Sequence, residues 1–185
     1  IAAQLRARAS FYVVPNMNPD GGVRGNLRTN AAGANLNREW GVATMERSPE
    51  VLLVMNKMLE TGVHLSLDVH GDEALPYNFI AGAEGVPGFS EADLARQTAF
   101  LQAYKKSTTA FQTEVGYPVS APGKGKLVYA TSWSAKTFGG LAMTLEMPFK
   151  DDDNHPDPMT GWSAERSAQL GFDVLPAMLE VIDLL

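Results

Sequence analysis

The sequence predicts an α/β fold in which a mixed central sheet is flanked by helices. Apolar segments rich in β-branched and aromatic residues alternate along the chain with segments that carry helix-start and helix-stop signals, as in layered α/β proteins. The 185 residues are 45% hydrophobic and 19% charged, which is typical of one globular domain with a real core. No internal repeat or low-complexity tract interrupts this organisation.

Four segments are predicted to be strands: residues 11–15, 64–71, 77–81 and 141–147. The first, FYVVP, reads as a buried strand that ends at its proline. In the second, HLSLDVHG, Leu65, Leu67 and Val69 alternate with polar residues, so one face of this strand is expected to be apolar.

Three segments are predicted to be helices: residues 48–62, 90–106 and 163–185. Ser48–Glu50 supplies a capping hydroxyl, a proline at the first helical position and an early acid. Ser90 and Asp93 have the spacing of a capping box. In the last helix, Gly171 and Pro176 are candidate interruptions.

A polar, glycine-rich segment of about twenty-five residues precedes the first of these helices. It contains NMNPDGGVRGNLRTNAA followed by GANLNREW. A loop this long inside a compact domain is usually functional or disordered, and the overall composition does not favour disorder. Residues 107–126, rich in proline and glycine towards their end, are also predicted to be loops.

Composition limits the partners of the chain. A net charge of −6 argues against nucleic acid, which requires a basic surface. The absence of cysteine excludes disulfides, a cysteine nucleophile and a thiolate metal site, and it suits a reducing compartment such as the cytoplasm. No apolar run has the length of a membrane span, and IAAQLRARAS lacks the apolar centre of a signal peptide. Because the chain does not begin with methionine, we expect it to continue a longer one.

Five residues near predicted strand ends are candidates for chemistry. His70 ends the second predicted strand, Glu146 lies near the end of the fourth, and the long loop carries Arg28, Asn37 and Arg38. Ligands of α/β sheets gather beyond the carboxyl ends of the strands. Most of these residues also have an ordinary interpretation: His70 could be a surface or core histidine, and the two arginines could simply be solvated. The glutamate is harder to dismiss, because an unpaired buried carboxylate is costly.

Two neighbours of His70 extend this candidate site. His70 and Glu73 have the spacing of a two-ligand metal motif, although matches this short are common by chance. Alternation places Asp68 on the same strand face as His70, where it could orient the imidazole, and a salt bridge elsewhere is an equal alternative.

Five motifs, in this order, carry a resemblance to a known family: PNMNPDG (15–21), GNLR (25–28), GANLNREW (33–40), LDVHGD (67–72) and TLEMPFKD (144–151). Together they resemble the zinc carboxypeptidases of the M14 family, and within it the cytosolic carboxypeptidase-like subfamily. The resemblance covers most of residues 11–151. It implies the zinc carboxypeptidase (phosphorylase/hydrolase-like) fold and a cytoplasmic hydrolase that removes C-terminal residues from peptides or protein tails.

The resemblance also implies a role for each candidate. His70 matches the family's third zinc (Zn2+) ligand, and Glu146 matches its general base and acid. Arg28 matches the arginine that polarises the scissile carbonyl. Asn37 and Arg38 match the pair that binds the terminal carboxylate of the substrate, for which the guanidinium fork is suited.

The family's first two zinc ligands come from a histidine-x-x-glutamate motif upstream of NPDG. Only about fifteen residues precede Asn16, and none is histidine. Residues 1–185 are therefore expected to be part of a catalytic domain without the segment that carries those ligands. By itself the chain is expected to be inactive and to bind zinc weakly.

Substrate recognition is predicted less closely. Tyr129 is the best match to the family's substrate-closing tyrosine, and a strand residue with a solvated hydroxyl is the alternative. Lys124, Lys126 and Lys136 precede Glu146, where they could favour acidic C-terminal residues or simply be solvated.

Two other functions stay open at this point. One is an amidohydrolase of the aspartoacylase kind, which would apply the same arginine and asparagine chemistry to small molecules. The other is a metal-free module that binds carboxylate tails. For the peptidase, the expected partner is a peptide or protein C-terminus, with neither nucleic acid nor a membrane involved.

Overall fold

The computed structural model describes all 185 residues. Its helices are α1 (Ala2–Arg8), α2 (Pro19–Arg24), α3 (Pro49–Thr61), α4 (Glu91–Ser107), α5 (Ala130–Phe138) and α6 (Ala164–Val181). Its strands are β1 (Leu65–Asp72), β2 (Phe79–Ala81) and β3 (Leu141–Pro148), and short 3-10 turns occupy Leu36–Arg38 and Ile182–Leu184. None of the helices combines the length and the apolar character that a membrane span requires.

The three strands form one mixed sheet in the order β1-β3-β2. The central strand β3 pairs parallel with β1, from Leu65 opposite Leu141 to Asp72 opposite Pro148, and antiparallel with β2. The predicted mixed central sheet flanked by helices is therefore confirmed.

One face of β3 forms the main core with α4 and α6. Met143 and Leu145 are buried there against Phe100, Tyr104 and Leu170. Burying an apolar side chain of this size stabilises the fold by roughly 1.5–3 kcal/mol, so this layer holds the sheet against the two helices. The Tyr104 hydroxyl donates a hydrogen bond of 2.9 Å to the Leu170 carbonyl, which satisfies the polar atom inside the layer.

The opposite face of β3 is turned towards α5. Thr144 lies within 2.7 Å of Thr131 of α5, hydroxyl to hydroxyl. Because side chains alternate along a strand, Glu146 shares this face with Thr144 rather than with the main core. A second apolar cluster joins α5 to α3 and to the long polar loop through Leu36, Trp40, Val51, Met55 and Ala130.

Most of the predicted elements are confirmed within a few residues. The predicted helices 48–62 and 90–106 correspond to α3 and α4, and the strands 64–71 and 141–147 correspond to β1 and β3. The Ser90–Asp93 capping box is present. The predicted final helix runs without a break through Pro176 to Val181 before the last 3-10 turn.

The prediction of a buried strand at residues 11–15 is wrong. Residues 11–14 form no strand, and Val13 is 78% exposed. β-branched and aromatic composition favours a strand only where a neighbouring strand completes the hydrogen bonds and one face is covered. No other segment of this chain provides that partner.

The long polar loop is ordered by asparagine side chains. Asn30 is buried, and its Oδ1 accepts the backbone N–H groups of Ala32 and Ala34, each at 3.0 Å. Its Nδ2 donates to the Arg47 carbonyl at 2.9 Å and to the Glu50 carboxylate at 3.2 Å. One side chain thus replaces the backbone partners that a helix or sheet would supply.

A second asparagine network fixes the segment that carries Arg28. Asn18 caps α2 by accepting the Gly21 N–H at 3.0 Å, and its Nδ2 donates to the Thr29 carbonyl at 3.0 Å. Asn26 donates to the same carbonyl. A Cβ at Gly21 would collide with the Asn18 side chain and the Thr29 carbonyl, so only glycine allows this close approach.

We expect Asn30→Ala to lower the free energy of unfolding by about 1–3 kcal/mol, because the change leaves buried backbone groups without partners. Urea unfolding followed by circular dichroism measures this. The matched control is Asn26→Ala, whose single side-chain bond goes to a carbonyl that Asn18 also satisfies, so that its effect should stay below about 1 kcal/mol. Equal effects of the two variants would contradict the role given to Asn30.

Candidate active site

The parallel pairing of β1 and β3 places His70 directly opposite Glu146. Both residues lie near the carboxyl ends of their strands, at the edge where ligands of α/β sheets bind. Two of the residues predicted from the sequence are therefore neighbours in space.

Glu146 is a buried carboxylate with one free oxygen. It is 5% exposed, its Oε1 accepts a hydrogen bond of 3.2 Å from the Tyr117 hydroxyl, and its Oε2 has no partner. Burial raises the pKa of Glu146 to about 7, with a smaller contribution from the nearby carboxylates of Asp72 and Asp68. The charge of His70 and the bond from Tyr117 oppose the rise without cancelling it.

His70 is oriented by Asp68. Its Nε2 lies 2.8 Å from Asp68 Oδ2, and its Nδ1 makes no hydrogen bond. Burial lowers the pKa of His70, but the bond to Asp68 and the charges of Asp68 and Glu146 outweigh burial and raise it overall. The prediction that Asp68 shares the strand face of His70 is confirmed, and the carboxylate fixes the ring as an outer partner does for a metal-binding histidine.

Arg28 reaches this group from the long loop. Its Nη2 donates to Glu73 Oε1 at 3.1 Å, and its positive charge acts to lower the pKa of both His70 and Asp72. Glu73 is thus the ion-pair partner of Arg28, and no hydrogen bond or ion pair joins it to His70.

Tyr117 belongs to the site although the sequence analysis assigned no role to it. Its hydroxyl is hydrogen-bonded to Asp72 Oδ2 as well as to Glu146 Oε1. Tyr117 lies in the loop 107–126, and the letters Gly-Tyr-Pro carry no periodicity that would have pointed to the sheet edge. Only the tertiary fold brings it there.

Arg38, Asn37 and Tyr129 form a separate group. The Arg38 guanidinium lies 4.4 Å from the centre of the Tyr129 ring, and its Nη1 donates to the Asn37 carbonyl at 2.6 Å. No hydrogen bond or ion pair joins them to His70 or Glu146. Tyr129 is the residue before α5, so the alternative that it is a strand residue is wrong.

The three lysines proposed to line a basic pocket are dispersed. Lys136 lies in the last turn of α5 and donates to the Pro87 carbonyl at 3.1 Å, beside the start of β3, whereas Glu146 lies near the end of that strand. Lys124 and Lys126 are exposed in the segment that precedes α5.

The residues present fit one ligand position of a metal site. His70 offers an unengaged Nδ1 and a carboxylate partner on Nε2, the arrangement usual for a zinc-bound imidazole. No group of three histidine, aspartate or glutamate side chains comes together to hold an ion, and a zinc site normally needs three or four protein ligands.

Comparison with known proteins identifies relatives over the whole chain. No protein-family model matches. A solved metallo-carboxypeptidase from Burkholderia cenocepacia is 51% identical with a TM-score of 0.96, and the match covers 100% of this chain and 48% of that one. A solved metallo-carboxypeptidase from Pseudomonas aeruginosa, in complex with (2-guanidinoethylmercapto)succinic acid, is 48% identical with a TM-score of 0.91, covering 94% and 46%.

Curated sequences give the same result. An uncharacterized protein of Zymomonas mobilis is 51% identical over 99% of this chain and 48% of its own length. Cytosolic carboxypeptidase 3 of Mus musculus is 36% identical over 88 residues, which is 45% of this chain and 9% of that protein. The chain therefore spans about half the length of the relatives that match it throughout.

The chain thus matches about half of each solved metallo-carboxypeptidase, which confirms the predicted resemblance to the M14 family. The match to the mouse protein supports the resemblance to the cytosolic carboxypeptidase-like subfamily. The predicted carboxypeptidase fold is confirmed with it.

We expect the 185-residue chain to retain less than one equivalent of zinc after dialysis, because it offers one oriented imidazole where a zinc site needs three or four ligands. Metal analysis of the dialysed protein measures this. His70→Ala should abolish the residual binding, and His64→Ala, at an exposed histidine before β1, should not change it. A stoichiometric complex that survives dialysis would contradict the expectation.

Proposed function

We propose that this chain supplies the catalytic glutamate and the carboxylate-recognition residues of a zinc metallocarboxypeptidase that acts on the C-termini of peptides or protein tails in the cytoplasm. The observation that carries the proposal is the buried carboxylate of Glu146, with one unpartnered oxygen, opposite His70 at the ligand-binding edge of the sheet. The similarity of the chain to metallo-carboxypeptidases supports the reaction class.

Glu146 acts in this proposal as the proton acceptor and donor. A group that exchanges protons works best when its pKa lies near the operating pH, and the pKa of Glu146 is raised to about 7. The free Oε2 is the atom at which the proton is taken up, and from which it passes to the leaving amine.

Arg28 stabilises the negative charge that develops on the scissile carbonyl oxygen. Its guanidinium is near enough to influence His70 and Asp72 electrostatically, and it is held there by Glu73. Removing a donor of this kind from an acyl-transfer site typically lowers the rate about 10²–10³-fold.

Arg38 and Asn37 bind the terminal carboxylate of the substrate. Arginine presents a planar fork of N–H groups that meets a carboxylate with two bonds. The contact with the Tyr129 ring and the bond from Nη1 to the Asn37 carbonyl hold the Arg38 guanidinium in place, and its Nη2 makes no hydrogen bond within the chain.

His70 would hold zinc through Nδ1, and the remaining ligands would come from residues outside this chain. When bound, zinc supplies Lewis-acid chemistry that makes water a competent nucleophile at neutral pH. Asp68 keeps the His70 ring in the orientation that this role requires.

In the full-length protein, Glu146→Gln should lower kcat for hydrolysis of a C-terminal peptide bond by at least about 10²-fold, because the amide cannot exchange the proton. Steady-state assays on a chromogenic peptide measure this. Glu60→Gln, at an exposed carboxylate of α3 that pairs with Lys57, is the control and should leave kcat unchanged. Unchanged hydrolysis by Glu146→Gln would remove Glu146 from the role of base.

A preference for acidic C-terminal residues is a finer part of the proposal. Lys124 and Lys126 support it because they are exposed in the segment before Tyr129. The ligand of the Pseudomonas aeruginosa relative combines succinic-acid carboxylates with a guanidino group, so basic side chains belong in the same test.

Turnover by the full-length protein of peptides that end in glutamate, lysine or phenylalanine decides the preference, and glutamate is expected to be removed fastest. An otherwise identical peptide with a C-terminal amide should resist hydrolysis, because Arg38 would lose its carboxylate partner. Faster turnover of lysine or phenylalanine would end the acidic preference. Binding of the free-acid peptides without hydrolysis of any would instead support a carboxylate-binding module.

A further inference from the structure

The hydroxyl of Tyr117 lies between two buried carboxylates. It is hydrogen-bonded to Asp72 Oδ2 and lies 3.2 Å from Glu146 Oε1. Asp72 is itself fixed, since its Oδ1 accepts the backbone N–H groups of Ala74 and Leu75 at 2.6 Å each. Asp72 therefore serves as a rigid anchor for the phenol.

The aromatic ring of Tyr117 is held independently of its hydroxyl. It meets Phe79 edge to face, with ring centroids 4.9 Å apart and an interplanar angle of 86°. A Cβ added at Gly116 would lie 3.2 Å from the Phe79 ring, so glycine allows the loop to approach closely at this point. Phe79 is in turn the β2 residue opposite Glu146.

Tyr117 engages only one of the two oxygens of Glu146. Oε1 shares the single hydroxyl hydrogen of Tyr117 with Asp72, while Oε2 is buried and free. A carboxylate held by one oxygen cannot rotate without breaking that bond, so the other oxygen keeps a fixed direction. Fixed geometry of this kind is what a group that transfers protons requires.

We propose that Tyr117 is a positioning residue, which holds Glu146 by Oε1 and so presents Oε2 to the substrate. The inference rests on the proposed function, because it assigns Tyr117 a task in the reaction that Glu146 performs. It extends the active site to residues 108–129, which connect α4 to α5.

Tyr117→Phe in the full-length protein isolates the hydroxyl, because phenylalanine keeps the ring contact with Phe79. We expect kcat to fall about 10- to 100-fold, the range usual when the partner that orients a reacting group is removed, while KM stays unchanged and the protein stays folded. The matched control is Tyr12→Phe, at an exposed tyrosine whose ring faces Lys57 and whose hydroxyl makes no hydrogen bond. This control should match the wild type.

The double variant Tyr117→Phe/Glu146→Gln separates positioning from a general structural effect. If Tyr117 acts through Glu146, the double variant loses no more activity than Glu146→Gln alone. Losses that multiply, a wild-type kcat for Tyr117→Phe, or a Tyr117→Phe protein that fails to fold would each overturn the inference. An inactive wild-type protein would instead overturn the proposed function, so that the two failures are distinguishable.

Discussion

The parallel pairing of β1 with β3 determines where chemistry can take place in this chain. It brings the carboxyl ends of both strands to one edge and, without offset, sets His70 opposite Glu146. The alternation that sends Met143 and Leu145 into the core sends Thr144 and Glu146 to the other face. A register shift of one residue would exchange these faces, so the core packing that fixes the register also fixes the site.

The long polar loop must hold charged side chains in place although it contains little regular secondary structure. Its backbone groups are satisfied largely by asparagines, and its second half is anchored by the buried side chains of Leu36 and Trp40. Glu39 adds a buried carboxylate that binds Arg47 and the Ser48 hydroxyl at the start of α3. The polar composition is thus the means by which the loop is ordered, and order is what lets it present arginines at fixed positions.

Local signals predicted the elements whose stability is local. The capping box of α4 and the alternation in β1 depend on near neighbours, and both are present in the structure. The prediction of a strand at 11–15 was wrong because a strand needs a partner that is distant in the sequence. Helix α5 was not predicted because its start carries no side-chain cap. The same distinction applies to the residues of the site. His70 and Glu146 lie near the ends of strands that the sequence predicts, whereas Tyr117 lies in a loop whose path depends on tertiary contacts.

The two carboxylates next to the Tyr117 hydroxyl differ in their ionisation because their hydrogen bonds differ. Burial opposes ionisation of Asp72, yet the hydrogen bonds from Tyr117, Leu75 and Ala74 outweigh it and lower the pKa of Asp72. Glu146 receives one weak bond on one oxygen, so burial prevails and its pKa rises to about 7. Two neighbouring acids with different pKa values can have different roles: one stays an anion, and the other exchanges protons. In the function proposed above, the free Oε2 of Glu146 is the oxygen that takes up the proton, while the bonded Asp72 stays an anion.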